Sequence, residues 1–235
     1  MKKNNNFDLT VFVPAYNEEK YIIGTLKKIF LSNVYFRKKI EIIIIDDFSY
    51  DKTSFLVKEF TKKIKNNNVT LIRNKKNLGV STNFKCALKI ARGKYFRMVC
   101  GDDIDYVKTH KLVLKNLGKF DIINPIYKHV QGKSKVRILL SKLFTFIVNV
   151  IFDKNLNYYN GTVAYKTSKL KNIRDINDGF GFQAHITCQL LKNNCTLNEL
   201  LCNAKHREKS NAINLKNLYL AFILFLKLVH LRIFK

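Results

Sequence analysis

The sequence is poor in several features that would mark particular classes of protein. Its 235 residues include no tryptophan, two prolines and five cysteines, and no two cysteines form a Cys-x-x-Cys pair. The first ten residues lack the apolar core of a signal peptide. No apolar run is as long as the about 18 residues that a membrane-spanning helix needs. We therefore expect a cytosolic protein with reduced cysteines and without a structural zinc site, a leader or a transmembrane helix.

Acidic residues are also scarce. The chain has 17 Asp and Glu against 43 Lys and Arg, which gives a formal net charge of +26. Such a charge suits nucleic acid, an anionic membrane surface or a phosphate-bearing substrate, although a Lys- and Asn-rich genome would also explain part of it. Hydrophobic residues make up 47% of the chain, which is enough to form the core of one large α/β domain.

The first half alternates short apolar strands with helical segments. In chain order the predicted strands are 9–13, 41–46, 69–73 and 95–99, and the predicted helices are 18–31, 52–64 and 80–91. Gly93 is expected to close the third helix. This alternation requires crossover connections, so we predict a mostly parallel sheet flanked by helices.

The second half is less regular and contains two long apolar segments. Strands are predicted at 121–124, 160–166 and 196–201, and helices at 136–152, 181–193 and 217–235. The segments 136–152 and 217–235 could be core helices. The C-terminal helix, however, combines a wide apolar face with Lys227, His230, Arg232 and Lys235, which favours contact with an anionic bilayer surface.

Polar residues are concentrated where the predicted strands end. Pro14–Glu18 follow the first strand, Asp46 and Asp47 follow the second, and Asp102 and Asp103 follow the fourth. Because ligands bind beyond the carboxyl ends of parallel strands, we expect these residues to lie along one edge of the sheet. Asp46 or Asp47 could accept hydrogen bonds from a nucleobase or ribose, whereas Asp51 is expected to cap the following helix.

Asp102 and Asp103 are candidate metal ligands. Adjacent carboxylates raise each other's pKa unless a cation lies nearby. Hard carboxylate oxygens suit Mg²⁺ or Mn²⁺, which bind one or two carboxylates together with substrate phosphates. The alternative is a turn in which one of these acids caps a helix, but the other polar strand ends favour the metal site.

Several blocks of the first half resemble the nucleotide-sugar domain of family 2 glycosyltransferases, which have the Rossmann-like GT-A fold. The blocks are VFVPAYNEEKYI, IIIIDDFSYDKTS and NKKNLGVSTNFKCALKIARGKYFRMVCGDD, and they occur in the family's order within residues 9–106. Residues 120–212 resemble more loosely the dolichyl- and polyprenyl-phosphate sugar synthases, on the segment GFGFQAHITCQLLKNNCTLNELLCNAKHREKSN.

The resemblance implies a nucleotide-sugar-binding half at 1–106, an acceptor-binding half at 107–212 and an apolar C-terminal helix at 213–235. The nucleotide-sugar pocket would be lined by Pro14, Ala15, Tyr16, Asn17, Glu18, Asp46, Asp47 and Gly79. Asp102 and Asp103 would be the catalytic metal-binding pair. The acceptor or its phosphate would contact Arg137, Ser141, Gln183, Arg207 and Ser210.

The sequence departs from the family pattern at three places. Cys100 replaces the first acid of the family's Asp-x-Asp, His185 replaces a Glu of the synthase branch, and Leu201-Cys202 replaces a Val-Pro pair. A hydroxyl acceptor needs a general base, whereas an ionised phosphate does not, so the loss of an acid at position 185 harms transfer to a phosphate less than transfer to a hydroxyl. The alternative is that His185 is a hydrogen-bonded core residue.

The resemblance thus implies a metal-dependent, inverting glycosyltransferase that uses Mg²⁺ or Mn²⁺. Its partners would be a UDP- or GDP-linked sugar donor, a polyprenyl-phosphate acceptor and the anionic inner face of the cell membrane. The alternative within this class is transfer to a hydroxyl of a cell-surface glycan. A nucleic-acid-binding role is disfavoured because the aromatic residues lie mostly within apolar runs rather than between basic residues.

Overall fold

The computed structural model describes residues 7–64, 68–127, 135–173, 175–179, 181–205 and 215–234, without the side chains of 135, 137 and 215–218. The strands are β1 Phe7–Ala15, β2 Ile40–Asp46, β3 Val69–Arg73, β4 Gly93–Met98, β5 Ile122–Tyr127, β6 Ala164–Lys166 and β7 Leu197–Cys202. The helices are α1 Ile22–Asn33, α2 Thr53–Ile64, α3 Val80–Ile90, α4 Val107–Asn116, α5 Lys135–Phe152, α6 Thr167–Lys171, α7 Phe182–Lys192 and α8 Leu215–Phe234.

The strands form one seven-stranded sheet in the order β3-β2-β1-β4-β6-β5-β7. The pairs β1–β2, β1–β4, β2–β3 and β5–β7 are parallel, whereas β6 is antiparallel to both β4 and β5. The prediction of a mostly parallel sheet flanked by helices is therefore confirmed. The sheet runs through both halves of the chain, and β6 joins them.

Continuous apolar runs place the central strands inside the sheet. Ile42, Ile43, Ile44 and Ile45 of β2 are all buried, as expected for a strand covered on both faces. Alternate side chains face opposite layers, so that Ile43 and Ile45 join the core around α3 and α7. Ile42 and Ile44 instead join the core that includes residues of α1 and α4. The helices α4 and α6 were not predicted from the sequence.

Gly93 has a different role from the one predicted. Helix α3 ends before it, and Gly93 is the first residue of β4. A Cβ atom at this position would lie 2.3 Å from the Thr10 backbone nitrogen. The Gly93 amide also donates to Thr10 Oγ1 at 2.8 Å. Gly93 is therefore needed for the close approach of β4 to β1, and the prediction that it closes a helix is wrong.

Helices α5 and α8 pack against each other beside α7. Their buried side chains, including Val148, Phe152, Leu224 and Leu228, form a third apolar cluster with Ala184 and Cys188 of α7. The rings of Phe144 and Phe225 are 5.1 Å apart at their centroids. Within the described ranges, no helix has both the length and the apolar character needed to cross a membrane.

Candidate active site

The polar strand ends meet at one edge of the sheet. Ala15 of β1 is paired with Asp46 of β2, and the Asp47 amide donates to the Ala15 carbonyl at 2.8 Å. On the other side of β1, the Gly101 amide approaches the Pro14 carbonyl at 3.3 Å. The predicted convergence of the three turns is therefore confirmed, because β1 lies between β2 and β4 and is bonded to both.

The turn at residues 14–18, which begins at the end of β1, is held by side-chain hydrogen bonds to the β2–α2 turn and to the first residue of α2. The amide of Asn17 donates to Ser49 Oγ at 3.0 Å, and the amide of Glu18 donates to Thr53 Oγ1 at 2.8 Å. Asp51 accepts the Thr53 amide at 2.9 Å, which agrees with its predicted capping role. Tyr16 and Asn17 remain exposed on this rigid turn, where a ligand can reach them.

Asp46 and Asp47 are buried rather than open to solvent. Asp46 accepts the Ser49 amide at 2.9 Å through Oδ1 and the Ser54 hydroxyl through Oδ2. Both contacts fix the turn between β2 and α2. Direct contact of this carboxylate with a nucleobase or ribose is not tested by these observations and stays a prediction.

Asp47 shapes the loop that leads into α3. Its carboxylate accepts the amides of Leu78 at 2.8 Å and Gly79 at 2.9 Å, and the Asn74 side chain at 2.8 Å. Burial alone raises the pKa of Asp47, but these donors outweigh it and hold the pKa below the usual range. Gly79 has a φ of +81°, which favours glycine, and the space where a Cβ would stand is empty.

Asp102 and Asp103 lie in different surroundings although they are adjacent. Asp102 is half-buried at the end of the sheet. The carboxylate of Asp103 instead forms ion pairs with Lys28 Nζ at 2.7 Å and Lys205 Nζ at 2.9 Å. Coordination of a metal by Asp103 would compete with these contacts, and the metal-binding role of Asp102 and Asp103 stays a prediction.

A divalent metal at this edge would need oxygen atoms from its substrate. Among the described residues, no group of three or more His, Cys, Asp or Glu side chains is arranged to hold a metal ion. Mg²⁺ and Mn²⁺ commonly bind one or two protein carboxylates together with substrate phosphates, so a single carboxylate such as Asp102 fits that donor set.

A buried polar network lies behind residues 100–105. Arg97 of β4 is 1% exposed and donates to Asp105 Oδ2 at 2.9 Å and to the Thr162 carbonyl at 3.0 Å. Tyr127 also donates to Asp105. The Arg97–Asp105 pair therefore connects β4 to the last residue of the loop 100–105 that follows it. This network was not predicted from the sequence, because the position of an Arg within a strand does not indicate which distant residue will be its partner.

His110 on α4 completes the network as a neutral ring. Its Nδ1 lies 2.8 Å from Arg97 Nη1, and because arginine only donates, Nδ1 must accept. Burial and the neighbouring Arg97 lower the pKa of His110 to about 3. The ring is therefore uncharged at neutral pH and supports Arg97 without repelling it.

The predicted acceptor residues are only partly described. Ser141 is half-buried on α5, and Gln183 is buried on α7 with no hydrogen-bond partner for Nε2 among the described residues. Arg207 and Ser210 lie outside the described residues, as does the side chain of Arg137. The role of each in binding an acceptor stays a prediction.

His185 occupies a buried position on α7. Its Nδ1 lies 3.4 Å from the Asn177 amide and 3.3 Å from Gln189 Nε2, so this nitrogen accepts and the ring is neutral there. His185 also lines a cavity of about 240 Å³ together with residues of α8. This cavity lies between α7 and α8, away from the polar strand ends, so we do not assign it to the nucleotide.

Comparison with known proteins agrees with this geometry. The sequence profile described as Glycosyl transferase family 2 matches residues 10–174. An uncharacterised protein of Methanocaldococcus jannaschii is 26% identical over 216 residues, which cover 86% of this chain and 90% of that protein. The dolichyl-phosphate beta-glucosyltransferase of Dictyostelium discoideum is 32% identical over 184 residues. These residues cover 75% of this chain but about half, 54%, of that enzyme.

A solved structure shows the same fold. Glucosyl-3-phosphoglycerate synthase from Mycobacterium tuberculosis, in complex with Mn²⁺, uridine diphosphate and glucosyl-3-phosphoglycerate, superposes with a TM-score of 0.70 at 14% identity. The superposition covers 98% of this chain and 81% of that one. At this identity the likeness concerns the fold, and it agrees with the expected GT-A architecture.

Proposed function

Because the chain belongs to glycosyl transferase family 2, we propose that it moves a sugar from a nucleotide-diphosphate sugar to the phosphate of a polyprenyl-type lipid. The observation that carries the proposal is the meeting of three turns at one edge of the sheet. The amides of Asp47 and Gly101 bond to Ala15 and Pro14, so the segments that follow β1, β2 and β4 surround one surface. Ligands of parallel sheets bind at such an edge.

The donor would lie across the turn at 14–18 and the loop that begins α3. Tyr16 and Asn17 offer an exposed ring and amide for the base and ribose of a UDP- or GDP-linked sugar. The empty space at Gly79 lets a ligand approach the backbone closely. Asp47 would act mainly by fixing the loop that begins α3, and Asp46 by fixing the turn between β2 and α2, because their carboxylates already accept hydrogen bonds from these segments.

Asp102 would bind the divalent metal, Mg²⁺ or Mn²⁺, together with the diphosphate. Such a metal neutralises negative charge on the departing nucleoside diphosphate. The chain contributes the fixed position of Asp102, since residues 101–105 are bonded to β1, to α1 and to Arg97. A position fixed in advance avoids reorganisation during the reaction.

The acceptor phosphate would attack the anomeric carbon from the face opposite the leaving group. A new bond forms between an acceptor phosphate oxygen and the anomeric carbon, while the bond to the diphosphate breaks and its electron pair leaves with the nucleoside diphosphate. The attacking oxygen is already ionised at neutral pH, so no general base is required. A neutral, hydrogen-bonded His185 in place of an acid is compatible with this chemistry.

The lipid part of the acceptor suits the surface formed by α5 and α8. We call this surface the two-helix apolar face, defined by the exposed residues Leu139, Phe146, Val150, Phe222, Leu226 and Ile233. Exposed Lys142 and Arg232 lie on the same helices, and the chain carries a net charge of +26. We propose that this face rests on an anionic membrane, which would place the enzyme at the cytoplasmic side of the cell membrane.

Polar substitutions on the two-helix apolar face are expected to abolish membrane binding. The double variant Phe146→Ser/Phe222→Ser removes two large apolar side chains from the lipid contact, whereas Phe55→Ser makes the same change on α2. Co-flotation with vesicles containing anionic phospholipid measures the effect. The wild type and Phe55→Ser should float and the double variant should remain at the bottom. Equal flotation of all three would contradict this role, as would concentration-dependent dimerisation through this face without lipid binding.

Incubation of the protein with membranes, Mn²⁺ and radiolabelled nucleotide sugars tests the proposed reaction. We expect label in a lipid that is extracted into organic solvent and released by mild acid, as a sugar linked to a lipid phosphate. Label found in polysaccharide instead would overturn the proposal of a lipid-phosphate acceptor and favour transfer to a glycan hydroxyl. No transfer from any UDP- or GDP-linked sugar would overturn the reaction itself.

A further inference from the structure

We propose that Lys28 is a positioning residue that holds the Asp102 loop, residues 100–105, in the shape needed to bind metal and diphosphate. The inference rests on the proposed function. Lys28 Nζ lies 2.7 Å from Asp103 Oδ1, 3.0 Å from the Asp103 carbonyl and 3.0 Å from the Asp105 carbonyl. The two carbonyl contacts are hydrogen bonds, and the contact with Oδ1 is an ion pair.

The face of α1 that carries Lys28 fits the loop closely. Gly24 lies one turn earlier on the same face, and a Cβ there would stand 2.9 Å from the Asp103 carboxyl group. Thr25 Oγ1 accepts the Asp103 amide at 3.0 Å. Helix α1 therefore leaves room for the Asp103 side chain at Gly24, accepts the Asp103 amide through Thr25 and pairs with the Asp103 carboxylate through Lys28.

The backbone conformation of Asp103 also supports a fixed arrangement of the loop. Asp103 has a φ of +56°, in the left-handed region that non-glycine residues seldom adopt. Such conformations persist when neighbouring contacts fix them, and they are concentrated at functional sites. Here the contacts come from Thr25 and Lys28, and they commit the Asp103 carboxylate to α1.

Lys205 attaches the second half of the chain to the same carboxylate. Its Nζ lies 2.9 Å from Asp103 Oδ2, and its amide donates to the Ile104 carbonyl at 3.0 Å. A single β-bridge joins Asp105 to Ala204. The segment that leads to the predicted phosphate-contacting residues Arg207 and Ser210 therefore starts against the Asp102 loop.

Lys28 is better suited than Lys205 to hold the loop. The Lys28 side chain is 14% exposed, against 41% for Lys205, so solvent and salt weaken its ion pair less. Lys28 thus acts on the metal site through Asp103, without touching the substrate.

The test compares Lys28→Met with Lys27→Met, which makes the same change at the exposed neighbouring position. In the metal-free protein we expect amide hydrogen exchange in residues 100–106 to rise about tenfold in Lys28→Met and to stay unchanged in Lys27→Met. The Mn²⁺ concentration that half-saturates nucleotide binding should rise about tenfold, and kcat should fall by about 10- to 100-fold. Thr25→Val should also raise amide exchange in the loop and the Mn²⁺ requirement, and it serves as the second variant if Lys28→Met does not fold.

Asp102→Asn separates the failure of this inference from the failure of the proposed function. If Asp102→Asn loses Mn²⁺-dependent binding while Lys28→Met and Thr25→Val keep wild-type exchange and Mn²⁺ affinity within twofold, the positioning role is overturned and the function stands. If Asp102→Asn itself binds nucleotide and Mn²⁺ like the wild type, the proposed metal site is overturned as well.

Discussion

The variant Asp105→Asn is expected to lower the free energy of unfolding by about 3–5 kcal/mol, because it leaves the Arg97 guanidinium buried without its carboxylate. Arg97 and Asp105 are 1% and 6% exposed, so solvent cannot replace the lost contact. Urea denaturation followed by circular dichroism measures the change. The control is Lys62→Met, which breaks an ion pair whose side chains are 76% and 41% exposed and should cost less than about 1 kcal/mol.

The double variant Arg97→Met/Asp105→Asn distinguishes a lost pair from a lost packing contact. Removing both charges leaves no unpaired buried ion, so the double variant should be more stable than the sum of the two single effects predicts. Additive losses, or a loss in Asp105→Asn no larger than in Lys62→Met, would show that this pair does not hold residues 97–105 together.

Replacing Asp102 with Asn should reduce kcat by about 10²- to 10³-fold, the usual effect of removing one group that stabilises charge in a transition state. The amide keeps the size of the side chain but removes the negative charge that a divalent cation prefers. Steady-state kinetics with saturating nucleotide sugar and varied Mn²⁺ should show both a lower kcat and a higher requirement for metal.

Asp153→Asn is the matched control for this variant. Asp153 is exposed just after α5 and has a φ of +51°, a conformation that asparagine tolerates well. It should keep wild-type kcat and metal dependence. An Asp102→Asn enzyme whose kcat lies within threefold of the wild type would contradict the assignment of Asp102 to the metal.

The sequence was sufficient to predict which turns meet, because parallel strands bring their carboxyl ends to the same edge. Asp46, Asp102 and the turn at 14–18 could be placed together by this rule alone. The rule does not say where a side chain points at that edge. Asp46 proved to be buried among donors from its own turn, and Asp47 among donors from the distant loop before α3, which no spacing in the sequence reveals.

Long-range partners explain the rest of what sequence analysis missed. Lys28 lies 75 residues from Asp103, and α1 carries Lys27 next to it with the same chemistry. Only the packing of α1 against the loop decides which lysine is enclosed. Gly93 was misassigned for a similar reason, since a glycine after a helix and a glycine needed by a neighbouring strand look alike in sequence.

Calorimetric titration of the protein with UDP and with GDP, with and without Mn²⁺, tests whether the polar strand ends form a metal-dependent nucleotide site. We expect one of the two nucleotides to bind with a stoichiometry of about one, and omission of Mn²⁺ or the change Asp102→Asn to weaken binding at least about tenfold. Failure of both nucleotides to bind would contradict a nucleotide site at this edge of the sheet. Binding that is equally tight without metal and in Asp102→Asn would contradict the metal site.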